Sequence, residues 1–288
     1  MLTLNNLLRL IRDGSKLHIC IHDISGILEQ KRLAVDTEFK THSKPFCNAA
    51  KCTVAGYDTC ISCKDSSNRR AAENEDFERV CPFGMTEIIR PVEIAGRVRC
   101  IIYLGNIAES PDALSKDVSS SCKRLGISSE CLLAHMNDTE YASRNSVSPD
   151  GYYSRLANYI RETVIALYDP KEAPRHEGSR QSSEHWCVRQ VLEYIDTNPT
   201  GSITLSSIAR LYFINEKYLG RIFKNQTGKT FHQYLTDTRL DRGARLLEGS
   251  DTVINIAHEC GFQNVTYFNR CFKYRFGMTP LEYRKGLK

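Results

Sequence analysis

The chain has 288 residues, of which 41% are hydrophobic and 25% charged, with a formal net charge of +5. That length suggests two domains, and the balance is ordinary for a globular protein. No apolar run approaches the roughly 20 residues of a membrane helix, and the start, MLTLNNLLRLIRDGSKL, lacks a signal peptide's apolar stretch and cleavage site, so a cytoplasmic protein with no membrane partner is expected.

In chain order, Leu2 to about Arg12 reads as an amphipathic helix, with Leu4, Leu7, Leu8 and Ile11 on one side. Residues 17–21 alternate like a strand, and Asp23–Gly26 is a turn signal. Twelve cysteines are many for a cytoplasmic chain, and five of them (Cys47, Cys52, Cys60, Cys63, Cys81) share one stretch. In a reducing compartment that clustering points to metal, redox or ligand chemistry before disulfides. Cys20, Cys100, Cys260 and Cys271 sit in apolar-patterned segments and read as core. A helix is expected around Asn68–Asn74, and strands over 86–95 and 97–104 form a hairpin about Gly96. Residues 152–168 form a helix with Leu156, Tyr159, Ile160, Val164 and Leu167 in a stripe, which either covers the domain's core or, the favoured reading, pairs with a second subunit. This order describes a compact α+β sensor domain over residues 1–168.

Several strings in it resemble the PocR ligand-sensing domain over about residues 5–165. They are Phe46-Cys47, the Cys60/Cys63 region before Arg70-Ala71-Ala72, Cys81-Pro-Phe-Gly-Met-Thr-Glu, Arg90-Pro91-Val92 before Gly96, and Tyr103-Leu104-Gly105-Asn106. Pro82 stands where that family more often has His, and Gly105-Asn106 where it usually has Gly-Gln. The resemblance implies a PAS-like module that recognises a small, weakly polar organic effector, such as a short diol or alcohol, and that dimerises. Phe46, Cys47, Cys81, Phe83, Met85 and Tyr103 are the candidate lining, although Phe83, Met85 and Tyr103 also fit a plain core. Cys60-Ile-Ser-Cys63 is a C-x2-C pair, and Cys47 or Cys52 with Cys81 would complete four sulfur ligands for zinc. Only one close pair exists, so an iron–sulfur cluster and free or ligand-contacting thiols stay open.

Residues 169–184 read as a linker, since PKEAPRHEGSRQSSE has two Pro, three Ser and no apolar period. Beyond it the charge changes. Residues 185–288 carry 15 Lys and Arg against 9 Asp and Glu, leaving 24 against 25 before them. A basic back half fits a nucleic-acid binder, though the same excess also suits a soluble surface. A helix from about His185 to Asp196 has Trp186, Val188, Val191, Leu192 and Ile195 on one face and breaks at 198–202. Thr204 then caps a short helix with Leu205, Ile208 and Leu211 inward, and a turn over 212–214 leads to Asn215, the cap of a second helix. A longer helix, about Thr230 to Glu248, carries Phe231, Tyr234, Leu235, Leu240, Leu246 and Leu247 and spaces this unit from a second helix pair.

That pair repeats the first. Ile208-Ala209 is echoed by Ile256-Ala257 forty-eight residues on; after a one-residue insertion, Asn215, Tyr218, Arg221, Phe223-Lys224, Gly228 and Tyr234 are echoed at forty-nine by Asn264, Tyr267, Arg270, Phe272-Lys273, Gly277 and Tyr283. A duplicated helix-turn-helix explains this, and the domain over 185–288 is expected to be all-α with two such units. The strings IARLYFINEKYLGRIFKNQTGKTFHQYL, TRLDRGARLLEG and VINIAHECGFQNVTYFNRCFKYRFGMTPLEYR resemble the DNA-binding domain of the AraC/XylS transcription regulators over about 187–286. The resemblance implies two reading helices that enter adjacent major-groove segments. The family's reading positions fall on Lys217, Gly220 and Arg221, then on Val265, Thr266, Asn269 and Arg270. Gln263, Asn264, Lys224 and Lys273 join them as groove or phosphate candidates. Gly220 stands where a larger residue usually faces the groove, and Gly243 where Ala is usual. Tyr234 and Tyr283 read as packing, and Arg239 and Arg242 as solvation of the long helix. A helical repeat with no DNA role is the competing explanation.

Together these readings describe a bacterial one-component transcription regulator, with promoter DNA, a small effector, a second copy of the chain and RNA polymerase as partners. No catalytic triad, phosphate loop or paired-carboxylate motif stands out, and His185 and His258 are isolated, so no enzyme is expected. Two alternatives use the clustered cysteines: a DNA-repair methyl acceptor, and a redox sensor acting through Cys60 and Cys63. Against the first, Cys60 follows Asp58-Thr59 rather than Arg-Pro.

Overall fold

The structure, a computed structural model, describes residues 3–42, 44–172, 180–198 and 201–286. Leu2 of the expected first helix, 173–179 of the expected linker, and Pro199 and Thr200 of the expected break lie outside the described residues. Contacts divide the chain into two compact units, one of residues 1–186 with 210–213 and the other of 187–209 with 214–288.

The N-terminal unit is built on one sheet. Its strands are β1 (His18–Asp23), β2 (Phe77–Val80), β3 (Thr86–Ile94), β4 (Arg97–Ala108) and the short β5 (Glu140–Tyr141). They lie in the order β1-β4-β3-β2, all antiparallel, with β5 parallel to the end of β4. The hairpin joining β3 to β4 turns on Ala95 at φ 54° and Gly96 at φ 70°, both in the left-handed region that a tight primed turn demands. Pro91 lies past the last residue of β3 paired with β2, where one side of β3 is an edge.

Among the described residues the α-helices of this unit are α1 (Leu4–Asp13), α2 (Pro45–Ala50), α3 (Val54–Ala72), α4 (Pro111–Leu125), α5 (Glu130–Leu133), α6 (Arg144–Val147) and α7 (Tyr152–Leu167). Helices α1 and α7 cover one face, where Leu4, Leu8, Ala157, Ile160, Val164 and Leu167 meet Ile19, Ile21, Ile88 and Ile102. Helix α3 lies over the other, with Ala71 against Cys20, Ile89, Ile101 and Tyr103. Both faces of β1 are therefore covered, and all six of its residues are buried.

This arrangement corrects two expectations. The α7 stripe is spent on the sheet and is not free for a second subunit, and Tyr159, expected within it, is exposed. The expected helix at 68–74 is only the end of the nineteen-residue α3, which starts at Val54 behind the N-cap Thr53. Cysteines and small polar residues hide its apolar period.

Helix α8 (Arg180–Thr197) begins inside the expected linker, five residues before the expected start, and the division between the units falls within it, after Trp186. Beyond it the C-terminal unit is helical: α9 (Leu205–Leu211, whose last two residues count to the first unit), α10 (Glu216–Thr227), α11 (Phe231–Leu246), α12 (Val253–Glu259), α13 (Val265–Phe276) and α14 (Pro280–Gly286). The duplication is visible bond by bond. Asn215 caps α10 by accepting from Tyr218 N, and Asn264 caps α13 by accepting from Tyr267 N. Both helices stop at a left-handed glycine, Gly228 at φ 71° and Gly277 at φ 77°. Tyr234 meets Phe223 edge-on at 5.6 Å, and Tyr283 meets Phe272 likewise at 5.4 Å. Between the copies α11 is fixed by a capping box of Thr230 and Gln233 and packs against α10, α12 and α13.

Arg239 and Arg242 do more than solvate α11. The first donates to Gly201 O at 2.6 Å and the second to Glu259 at 3.2 Å, so each ties the helix to a neighbouring segment. Gly243 also has a local reason: a Cβ there would stand 3.1 Å from the buried Phe268 ring, a tight contact that the glycine relieves.

Candidate functional site

Two places carry chemistry, one in each unit. The first is the pair of helices α10 and α13. The turn before α10 holds Phe213 at φ 55°, and the turn before α13 holds Gly261 at φ 83°. Ile214 N donates to Ala209 O, and Phe262 N to Ala257 O, both at 2.9 Å. The correspondence at forty-eight therefore runs through 214 and 262, and the inserted residue is Gln263, exposed immediately before the cap.

On α10 Lys217, Arg221 and Lys224 are exposed, and on α13 Thr266, Asn269, Arg270 and Lys273 are exposed. Each helix also aligns a guanidinium with a ring one turn back: Arg221 over Tyr218 at 5.3 Å, and Arg270 over Tyr267 at 5.2 Å. Such a pair stiffens the arginine without neutralising it. Three expected positions are placed differently. Gly220 is half-buried, and a Cβ on it would stand 3.1 Å from Leu205 Cδ2, so it is where α10 approaches α9. Val265 is half-buried against the second core. The Asn264 side chain is engaged as the cap.

The second place is a cavity of about 40 Å³ between α2, α3 and one end of the sheet. Phe46, Cys47, Cys81, Phe83 and Met85, all expected lining, border it, together with Cys60 and Cys63. Tyr103 does not. Its ring faces Lys64 Nζ at 4.2 Å, and its hydroxyl donates to Asn68. The rest of the border is Ala50, Pro82 and the polar His18, His42, Lys64, Arg79, Glu87 and Asn106. Arg79 is ion-paired with Glu87, and His42 Nδ1 stands 3.3 Å from Glu87 Oε1. Asn106, left-handed at φ 65°, donates to Lys16 O at 2.8 Å and Asp138 O at 2.6 Å, which fixes the end of β4.

Burial dominates the acid–base chemistry here. It pushes the Cys47 thiol up to about 12, raises Cys60 and Cys63, and holds Cys81 well above the usual thiol range. A thiolate, not a thiol, is the nucleophile and metal ligand. Although Cys47, Cys60, Cys63 and Cys81 border one cavity, no group of three His, Cys, Asp or Glu converges as a metal site among the described residues. The geometry thus adds nothing to the zinc, methyl-acceptor or redox readings.

Sequence reasoning singled out neither His18 nor His42. A signal for the first was present, because His18, Cys20 and His22 alternate on one face of β1, the face that α3 covers.

Comparison with known proteins agrees with both halves. Residues 3–163 match the sensory domain found in PocR, and residues 208–286 match a helix-turn-helix domain. Over 213 residues the chain is 24% identical to the regulatory protein PocR of Salmonella typhimurium, a match covering 72% of this chain and 70% of that one. It is 34% identical over 96 residues to the HTH-type transcriptional regulator YijO of Escherichia coli, covering 33% of this chain and 34% of that protein. Among solved structures, the C-terminal domain of the response regulator yesN from Fusobacterium nucleatum is 30% identical, covering 33% of this chain and 95% of that one, with a TM-score of 0.32. The chain belongs to the family that joins a PocR-type sensory domain to an AraC-type helix-turn-helix domain. Among the described residues no helix is long and apolar enough to cross a membrane.

Proposed function

We propose that this chain is a cytoplasmic one-component transcription regulator. Its C-terminal unit binds promoter DNA by placing α10 and α13 in two adjacent major-groove segments, and its N-terminal unit, a PAS-like module, senses a small organic molecule such as a short alcohol or diol. The domains run over residues 1–168 and 185–288, and the protein acts on RNA polymerase as a homodimer.

The observation that carries this reading is the repeated frame of α10 and α13: the same cap, the same tyrosine–arginine pair and the same glycine stop. Within that frame the exposed side chains differ. Lys217, Arg221 and Lys224 on α10 suit phosphates, whereas Thr266, Asn269 and Arg270 on α13 offer the donors and acceptors that distinguish base edges. The four antiparallel strands, with β1 beside the inner strand β4, support the PAS-like description. A cavity of about 40 Å³ is far below the roughly 300–1,000 Å³ of a drug-sized pocket, which favours a very small effector. The effector must bind one conformation better than another, or it shifts nothing.

Gel-shift titration on promoter fragments against random competitor, with and without small alcohols and diols, tests the reading. A preference for particular fragments that changes with one of these compounds is expected. Equal affinity for promoter and competitor DNA under every condition would reject it.

A further inference from the structure

Resting on the reading of this cavity as an effector site, we propose that His18 and His42 are its specificity-determining residues, presenting two bare Nε2 lone pairs that accept hydrogen bonds from a small uncharged ligand with two donor groups. In both residues Nε2 is buried and has no hydrogen-bond partner. Both border the cavity, and their rings meet edge-to-face with centroids 5.1 Å apart. Buried polar atoms in native proteins are nearly always paired, so two orphans beside one cavity mark where a partner belongs.

The kind of partner follows from the other ring nitrogens. Glu87 is ion-paired with Arg79, and a carboxylate only accepts, so His42 Nδ1 beside it carries the ring proton. His18 hydrogen-bonds to the Thr41 backbone in the sense that favours a protonated ring nitrogen. With Nε2 unpartnered, that nitrogen is Nδ1. Burial, with Lys44, Lys64 and Lys51 nearby, pushes His18 down to about 3. Burial, then Lys64, likewise holds His42 well below the usual imidazole range. Neither ring takes a second proton at neutral pH, so both Nε2 atoms are acceptors and the ligand has to donate.

A cationic donor is disfavoured by Lys64 and Arg79 on the border and by the buried Lys51. A metal is disfavoured by the missing third ligand. A water needs about 10–15 Å³ of such space, so about 40 Å³ takes roughly three waters or one molecule of about four heavy atoms.

Four probes of that size separate the possibilities: ethane-1,2-diol, propan-1-ol, propanone and ethane-1,2-diamine. Each is titrated into the full chain labelled with 15N-histidine, and binding of the probe is followed in parallel by saturation transfer from the protein. The diol should shift both Nε2 resonances and receive saturation, propan-1-ol should do so more weakly, and propanone and the protonated diamine should do neither. His18→Leu should lower diol affinity about tenfold, the loss of one hydrogen bond, while the His42 Nε2 resonance still moves with the diol. Probe binding without movement of Nε2, equal binding of propanone, or stoichiometric Zn²⁺ capture at the two imidazoles would overturn the assignment and leave the cavity reading standing. No saturation of any probe would overturn both.

Discussion

The N-terminal unit buries His18, His22, Asp23, Lys51, Lys64, Asp65, Glu87 and Arg90, whereas the C-terminal unit buries no His, Lys, Arg, Asp or Glu among its described residues. Its core is aromatic instead, with Phe223, Phe262, Phe268 and Phe272 almost fully enclosed, and its charges lie outside. The contrast matches two tasks. A polyanion is gripped from the surface by charges that stay solvated until contact. A small molecule is recognised inside, where the low dielectric strengthens each hydrogen bond and makes each unpaired group costly. Arg90 shows how the interior charge is tolerated: it pairs with Glu78 at 2.7 Å and donates to Ile89 O at 2.9 Å and Phe77 O at 3.3 Å.

The largest expected effect tests whether the two helix-turn-helix copies share one scaffold. Phe223→Ala and Phe272→Ala should each cost about 3–5 kcal/mol in chemical denaturation. A cost below about 1 kcal/mol for either would mean that copy is not held by its aromatic core.

Acid should separate the two units. The unfolded state takes up protons on His18 from about pH 6.5, while the folded ring resists until about 3, and His42 shifts the same way. The stability these neutral rings provide is therefore present above pH 6.5 and is lost as pH falls from 6.5 toward 3, by a few kcal/mol. The groups facing them are Lys44, Lys51, Lys64, Arg79 and Glu87. The C-terminal unit buries no histidine among its described residues. Circular dichroism with the two units followed separately checks this, and equal acid sensitivity of both would contradict it.

A smaller effect sharpens the comparison of the reading helices. Arg270→Ala should cost about 1–3 kcal/mol on the preferred fragment and relax sequence preference, whereas Arg221→Ala should weaken binding to all sequences and lower the salt slope by about 1. If both variants behave alike, α10 and α13 do not divide the work as proposed. The smallest concerns the turns. Gly261→Ala, at φ 83°, should cost about 1–2 kcal/mol, while Phe213→Gly should gain no more than about 1 kcal/mol in thermal melting. A neutral Gly261→Ala would show that the second turn does not depend on its glycine.

The helical unit was legible because its signals are local. Asn215, Gly228, Asn264 and Gly277 punctuate the helices within a turn of where they begin or end, and the repeat cross-checks each assignment. In the sensor, the β3–β4 hairpin was legible from Gly96, and five of six expected lining residues border the cavity. Strand β2, the sequence Phe-Glu-Arg-Val, was not, because four residues show no period. Helix α4 was missed although Ser110 caps it and Pro111 follows. The polar border was hidden for a different reason. His18 and His42 are 24 positions apart, and only the pairing of β1 with β4, which sets His18 opposite Gly105, brings the first near Asn106. Gly220 was named from the family resemblance, while its fit against Leu205 is visible only in three dimensions.

Hydroxyl-radical footprinting of the full chain on a preferred promoter fragment tests the DNA reading most directly. Two protected segments about one helical turn apart, roughly 10–10.5 base pairs, on one face of the duplex are predicted, with Arg270→Ala erasing the base-specific one. A single protected segment, or none above random competitor, would contradict it.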